Sequence, residues 1–469
     1  MSPAARGTSF RSYNRGMSSQ TYFSENRDRF IAEHLEFDRI PSISALPQHK
    51  ADVRAAAAWT VARMTRAGLA NAAILETAGH PATYADWLGA PGKPTLLFYG
   101  HFDVQPVDPL SLWTTPPFEP EIRDGRIYAR GASDDKSGVL SLIQAIEGVL
   151  QGEGKLPLNI KLLFEGEEEI GSANLRAVLA ERKSQLACDH IISVDGGQWS
   201  ETDGGILVSL KGMCGGQIDV YGASTDLHSG IFGGAAANPL AALTHILAAM
   251  RDPDGKVLVD GFYDDVTPLT AAEREAMAVV PFDGEALRAR LNVPELAGER
   301  DYSPIERMWA RPTLDINGMW GGFQGAGGKT VLPAEAHAKI TCRLVANQDP
   351  RKILECLAAH IRKVTPPGVR VEFHPSAGTA FPYSMPLDHP VNNAIKRVLT
   401  EVYGKPPYYI RMGGSVPGTG MFERELGAKV ATLSFALEDE GMHAPNEFWR
   451  IASLDKALKA YDLFIHESF

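Results

Sequence analysis

Residues 94–104 read PTLLFYGHFDV, an apolar run opened by Pro94 and closed by His101 and Asp103. Its aromatic and aliphatic side chains suit a strand, and the polar pair marks where that strand ends. Upstream, apolar residues at helical spacing around Phe30, Ile31, Leu35 and Phe37 predict one helix, and ADVRAAAAWTVARMTRAG predicts a second, stopped by Gly68. Downstream come a loop rich in Pro106, Pro109, Pro116 and Pro117, a turn at Asp124-Gly125 and the short strand RIYAR. A helix from Lys136 to about Gln151, the strand NIKLLFEG, a helix after Gly171 and the strand HIISVDGG then follow. Strands alternating with helices predict an α/β layered domain with a mainly parallel sheet. In such sheets ligands bind beyond the carboxyl ends of the strands.

The pattern changes near Leu207. VSLKGMCGGQIDVYG and HAKITCRLV read as strands, NPLAALTHILAAM as a helix, and the stretch from about Gly255 to Arg311 as a long irregular insertion. These predict a separate α+β domain with an antiparallel sheet and helices on one face. After about Pro382, NNAIKRVLTEVYG and AKVATLSFAL return to helix and strand and complete the first domain. The expected organisation is a disordered leader over residues 1–20, a first domain over 21–206 and 383–469, and an inserted domain over 207–382.

A chain of 469 residues, 44% hydrophobic and 22% charged, can bury large cores and divides into domains. The net charge of -11 argues against a nucleic-acid surface, which requires concentrated Lys and Arg. No apolar run is long enough for a membrane span, and the first twenty residues lack the apolar core of a secretory signal. Cys188, Cys214, Cys342 and Cys356 form no CxxC pair and read as reduced thiols in a cytoplasmic protein. GGFQGAGGKT resembles a phosphate loop but has Phe323 where the pattern requires glycine, and it precedes a strand. Nucleotide binding is rejected on that ground.

Carboxylates and histidines gather at the predicted strand ends. His101 and Asp103 are two apart on an extended segment and share a face; His101 suits metal ligation, and Asp103 can accept its other ring N–H. Asp134 and Asp135 stand before a helix, where they are either a cap or a metal bridge. Glu167, Glu168 and Glu169 repel one another unless cations or water intervene. Asp195 follows another apolar strand, and His443 follows ATLSFAL. A mixed N and O donor set suits zinc, with manganese or cobalt at similar sites.

Together, GHFDVQP, GRIYARGASDDKSG, EGEEEIGS, DLHSG and MHAPNE resemble the signatures of the two-metal aminoacylase and carboxypeptidase superfamily of metallopeptidases, and most of all its carnosinase-like cytosolic dipeptidases. The likeness runs from about Tyr22 to the C-terminus with matching order. It implies a hydrolase-like α/β catalytic domain interrupted by a lid and dimerisation domain. It also implies that His101 and Asp195 hold one metal, Glu169 and His443 the other, and Asp134 both, with the Asp134–Asp135 peptide cis. Glu168 would be the general base, and Asp103 would orient His101. An aspartate at position 195 points to the dipeptidase branch. From the inserted domain, His228 would reach the substrate carbonyl across a homodimer. Arg343 would bind the substrate carboxylate through its guanidinium fork, helped by a backbone cradle at Gly413, Gly414 and Ser415.

The expected activity is hydrolysis of the amide bond of dipeptides, or of similar small substrates with a free carboxylate, using two divalent ions. The alternatives are an N-acyl-amino-acid deacylase or carboxypeptidase-like amidase on the same scaffold, and a non-catalytic binding protein.

Overall fold

The computed structural model describes residues 18–414 and 417–469. Most of the expected leader therefore lies outside the described residues. Ser18 caps the first helix through its hydroxyl, and Ser19 and Gln20 already belong to that helix, Ser19–Asp38. Two compact units are present: one of Met1–Ile206, Leu387–Tyr408 and Met421–Phe469, the other of Leu207–Pro386 and Tyr409–Gly420.

The first unit is built on a six-stranded sheet. Its strands lie in the order Ala70–Leu75, Ala82–Trp87, Asn159–Glu165, Thr95–His101, His190–Ser193, Val430–Thr432. The last four run parallel, while Ala70–Leu75 and Ala82–Trp87 add an antiparallel edge that the sequence pattern did not announce. The sheet is therefore mixed. Leu96, Leu97 and Phe98 of the central strand are fully buried, as are Leu162, Leu163, Ile191 and Ile192 on its neighbours. Each such side chain contributes about 1.5–3 kcal/mol on leaving water.

The helix Lys136–Glu153 is buried along almost its whole length, from Lys136 to Leu150. It packs against Ser19–Asp38 on one side and Ile451–Ile465 on another. Gln144 donates to the Phe30 carbonyl at 3.1 Å, and Lys136 Nζ donates to the Phe37 and Ile40 carbonyls at 3.0 and 2.7 Å. A buried lysine is tolerated because those carbonyls replace its water shell. The helix start, and with it Asp134 and Asp135, is thereby anchored to the first helix.

The second unit holds a four-stranded antiparallel sheet in the order Thr313–Gly321, Glu335–Leu344, Gly212–Tyr221, Arg370–Pro375. Leu243, Ile246 and Leu247 of the helix Pro239–Ala249, with Ile353, Leu357 and Ile361 of Pro350–Val364, cluster with Ile218, Val220, Ala338 and Ile340 of the sheet. Cys214 and Cys342 face each other in register within this core as free thiols. The insertion is more regular than its sequence suggests, with helices Ala271–Ala278, Gly284–Leu291 and Pro304–Ala310. Thr270 with Glu273, and Ser303 with Glu306, form capping boxes there. The S/T-x-x-E spacing of both was readable in advance.

Candidate metal centre

The parallel strands end level with one another. His101, the last residue of its strand, pairs in register with Glu165, and Tyr99 pairs with Ser193, two residues before Asp195. The loop before Lys136 brings Asp134 to the same edge, and Thr432 lies beside Ser193, so the segment beyond it carries His443 there as well. His443 adopts a left-handed backbone, φ 65°. A non-glycine residue holds that conformation where its surroundings fix it.

Asp134 is the hinge of the cluster. One of its carboxylate oxygens lies 3.1 Å from His101 Nε2 and the other 3.1 Å from His443 Nε2. Asp195 lies 3.9 Å from His101 Nε2 on the first side, and Glu169 lies 3.3 Å from His443 Nε2 on the second. His101, Asp134 and Asp195 thus form one possible ligand group, and Asp134, Glu169 and His443 another, sharing Asp134. The Asp134–Asp135 peptide is cis. Two mixed imidazole and carboxylate sets joined by one carboxylate fit a pair of divalent cations.

Electrostatics point the same way. Burial raises the Asp195 pKa to about 7, with Asp134 and Glu169 adding to the rise and His101 opposing it. Burial likewise lifts Glu168 well above the usual carboxylate range; His101 opposes, while Asp195, Glu169 and Asp134 reinforce. Burial disfavours the His101 cation, yet Asp103 and Asp134 outweigh it and raise its pKa. The site gathers more negative charge than its histidines balance, and it accommodates added positive charge.

Further residues brace these loops. Glu447 accepts from Arg130 Nη1 at 2.7 Å and from the backbone N–H groups of Gly131, Ser133 and Asp134 at 2.9, 2.9 and 3.1 Å. Gln105 donates to Glu169 at 2.7 Å. Asp135 is buried and accepts from the His101 backbone N–H at 3.2 Å. Gly138 makes room for it: a Cβ there would come within 2.5 Å of the Val194 carbonyl oxygen. Asp103 differs in detail from its expected use. His101 Nδ1 lies 3.0 Å from the Asp103 backbone carbonyl and 3.5 Å from its carboxylate, which accepts instead from the backbone N–H groups of Glu168 and Glu169 at 3.2 and 3.1 Å. Glu167 points elsewhere, accepting from His80 N and Asn174. The first glutamate of the triplet is a loop brace.

His228, Arg343 and Gly414 belong to the second unit. His228 is exposed, and its Nδ1 accepts from the Gly230 N–H at 3.0 Å, which leaves Nε2 as the ring's donor. Arg343 is half-buried in its strand opposite Met213. Gly413 and Gly414 follow the strand Tyr408–Met412, and Ser415 lies outside the described residues.

Residues 97–467 match Peptidase family M20/M25/M40. The chain is 30% identical over 459 residues to the Cys-Gly metallodipeptidase dug1 of Schizosaccharomyces pombe, covering 94% of this chain and 96% of that one. It is 31% identical over 372 residues to the Beta-Ala-His dipeptidase of Homo sapiens, covering 78% and 73%. Among solved structures, an M20 family metallo-carboxypeptidase, Sso-CP2 from Sulfolobus solfataricus, superposes with a TM-score of 0.79 at 34% identity, covering 93% of this chain and 98% of that one.

Proposed function

Because the chain belongs to Peptidase family M20/M25/M40, we propose that it hydrolyses the amide bond of dipeptides, or of similarly small substrates with a free carboxylate, at a pair of divalent ions. The observation that carries this reading is Asp134, whose two carboxylate oxygens face His101 and His443 separately. In this assignment His101, Asp134 and Asp195 hold one ion, and Asp134, Glu169 and His443 the other. Zinc is the preferred ion for these donors, with manganese or cobalt accepted by the same set. When bound, such a pair polarises the substrate carbonyl and lowers the pKa of water.

Glu168 is assigned as general base. Its carboxylate would take a proton from the attacking water as the oxygen–carbon bond forms. It returns that proton to the amine nitrogen as the carbon–nitrogen bond breaks. Asp103 holds the Glu168 and Glu169 backbone in place through both carboxylate oxygens. His228 offers an Nε2–H donor for the carbonyl oxygen, and Arg343, with the Gly413–Ser415 backbone, binds the carboxylate. We assign His228 to the substrate of a second copy in a homodimer, and the enzyme to the cytoplasm, in keeping with its free thiols.

The test is hydrolysis of a dipeptide panel by chelated protein before and after zinc or manganese is restored, with C-terminally amidated controls. Metal-dependent cleavage that fails on amidated dipeptides is the expected result. Cleavage confined to N-acyl amino acids would replace this reading with the deacylase one.

A further inference from the structure

A second cluster of metal-type donors lies within the first unit, built from residues the proposed mechanism does not use. Glu153, Asp462 and His466 each place a donor atom within 4.8 Å of the others. Glu153 ends the buried helix Lys136–Glu153, and His466 caps the C-terminal end of Ile451–Ile465. Two helix C-termini, each with the negative end of its dipole, therefore meet at this point.

His466 stands between the two carboxylates, with Nδ1 on the Asp462 side and Nε2 on the Glu153 side. His466 Nδ1 lies 2.7 Å from the Asp462 backbone carbonyl and donates to it, so in the neutral ring the lone pair is on Nε2. That Nε2 lies 3.0 Å from Glu153 Oε2. Asp462 is 7% exposed, and its Oδ2 accepts from Ser19 Oγ at 2.8 Å and Gln20 Nε2 at 2.6 Å. Its Oδ1 is buried and accepts no hydrogen bond among the described residues, and it lies 3.5 Å from His466 Nδ1. A buried carboxylate oxygen without a donor is destabilising unless a positive partner reaches it.

We propose that Glu153, Asp462 and His466 bind a further divalent cation of the zinc class. The imidazole and two carboxylates supply three ligands of the type such ions take, and water completes the shell. Both Glu153 and His466 are partly exposed, at 41% and 37% of their side chains, which gives an ion a route in from solvent. Bound there, the ion ties the end of the helix behind the candidate metal centre to the C-terminal helix and, through Asp462, to the first turn of Ser19–Asp38.

The experiment is metal titration of the full chain, stripped with chelator, using zinc followed by calorimetry and cobalt followed by its absorption spectrum. His466→Ala and Glu153→Gln should each bind one equivalent fewer than the unaltered chain while keeping its dipeptide hydrolysis within about 2-fold. In an Asp134→Ala background one equivalent should persist, and it should disappear when His466→Ala is added. That double variant separates this site from the proposed catalytic pair: loss of the remaining equivalent on adding His466→Ala supports the proposal whether or not the chain is a dipeptidase, and its retention would overturn it. Equal stoichiometry in the unaltered chain and both single variants would overturn it. The ring would then be an imidazolium paired with Glu153.

Discussion

Glu447 accepts a hydrogen bond from the backbone N–H of Asp134 at 3.1 Å, although 313 residues separate them in sequence. The contact joins the C-terminal loop that carries His443 to the loop that carries the shared carboxylate. Glu447 also takes the Arg130 guanidinium and two further N–H groups. Its carboxylate is thus the anion around which residues 130–134 are folded.

Glu447→Gln keeps one acceptor but sets an NH2 group against a ring of donors. Metal affinity should fall about 10–100-fold, as on loss of other supporting partners of metal ligands. Zinc titration of the chelated variant measures it, with activity recovering in excess zinc. Glu447→Ala should also lower the denaturation midpoint, because Arg130, with only 1% of its side chain exposed, loses its counter-ion; breaking such a pair costs about 3–5 kcal/mol. Unaltered zinc affinity in both variants would remove Glu447 from this role.

Glu168→Gln should lower kcat by about 10²–10⁴-fold, the usual contribution of a positioned general base. Bound metal should stay at the unaltered level, because Glu168 belongs to neither ligand group. Metal analysis alongside steady-state kinetics checks both halves. Near-normal turnover would transfer the proton-handling role to another residue.

Gly138→Ala tests the packing behind the site. In an unobstructed helix interior this change stabilises by about 1 kcal/mol. Here the new methyl meets the Val194 carbonyl and the Asp135 carboxylate, so the variant should be destabilised by about 1–3 kcal/mol. Thermal denaturation reads the sign, and a higher midpoint would contradict the close approach. Displacing Asp135 should also loosen its bond to the His101 N–H, which metal titration would register.

His34 provides the pH test. It is buried against the Trp449 ring at 4.8 Å, and burial pushes its pKa down to about 3. The unfolded chain, with a histidine near 6.5, binds a proton that the folded chain refuses. Stability from this group is therefore fully present above pH 6.5 and is lost as pH falls, by about 1.4 kcal/mol per pH unit toward pH 3. His34→Gln should flatten the pH dependence of the denaturation midpoint between pH 6.5 and 5. An unchanged slope would show that other groups govern the acid limb.

The convergence of His101, Asp134, Glu169 and Asp195 was legible because each follows or adjoins an apolar run, and parallel strands deliver their ends to one edge. What was not legible depended on partners distant in sequence. The spacing of His101 and Asp103 shows a shared face but not the Glu168 and Glu169 N–H groups, 65 and 66 residues away, that claim the Asp103 carboxylate. Glu447 was visible in its motif, yet nothing local indicates four donors converging on it. The strands ANAAIL and ATYADW are not legible because small and polar residues dilute their alternation, and pairing with Asn159–Glu165 extends the sheet through them. Two helices of the insertion, Ala271–Ala278 and Pro304–Ala310, carry capping boxes that the irregular composition around them masks.

The strand Val430–Thr432 pairs with His190–Ser193, laid down more than two hundred residues earlier. During synthesis the ribosome therefore releases the central strands long before the segment that covers their last edge and supplies His443. Until then His190–Ser193 is an unpaired, largely apolar border, open to pairing with another nascent chain. Closure of that border and completion of the cluster on Asp134 come from the same final segment, so a chain stopped before residue 430 lacks both.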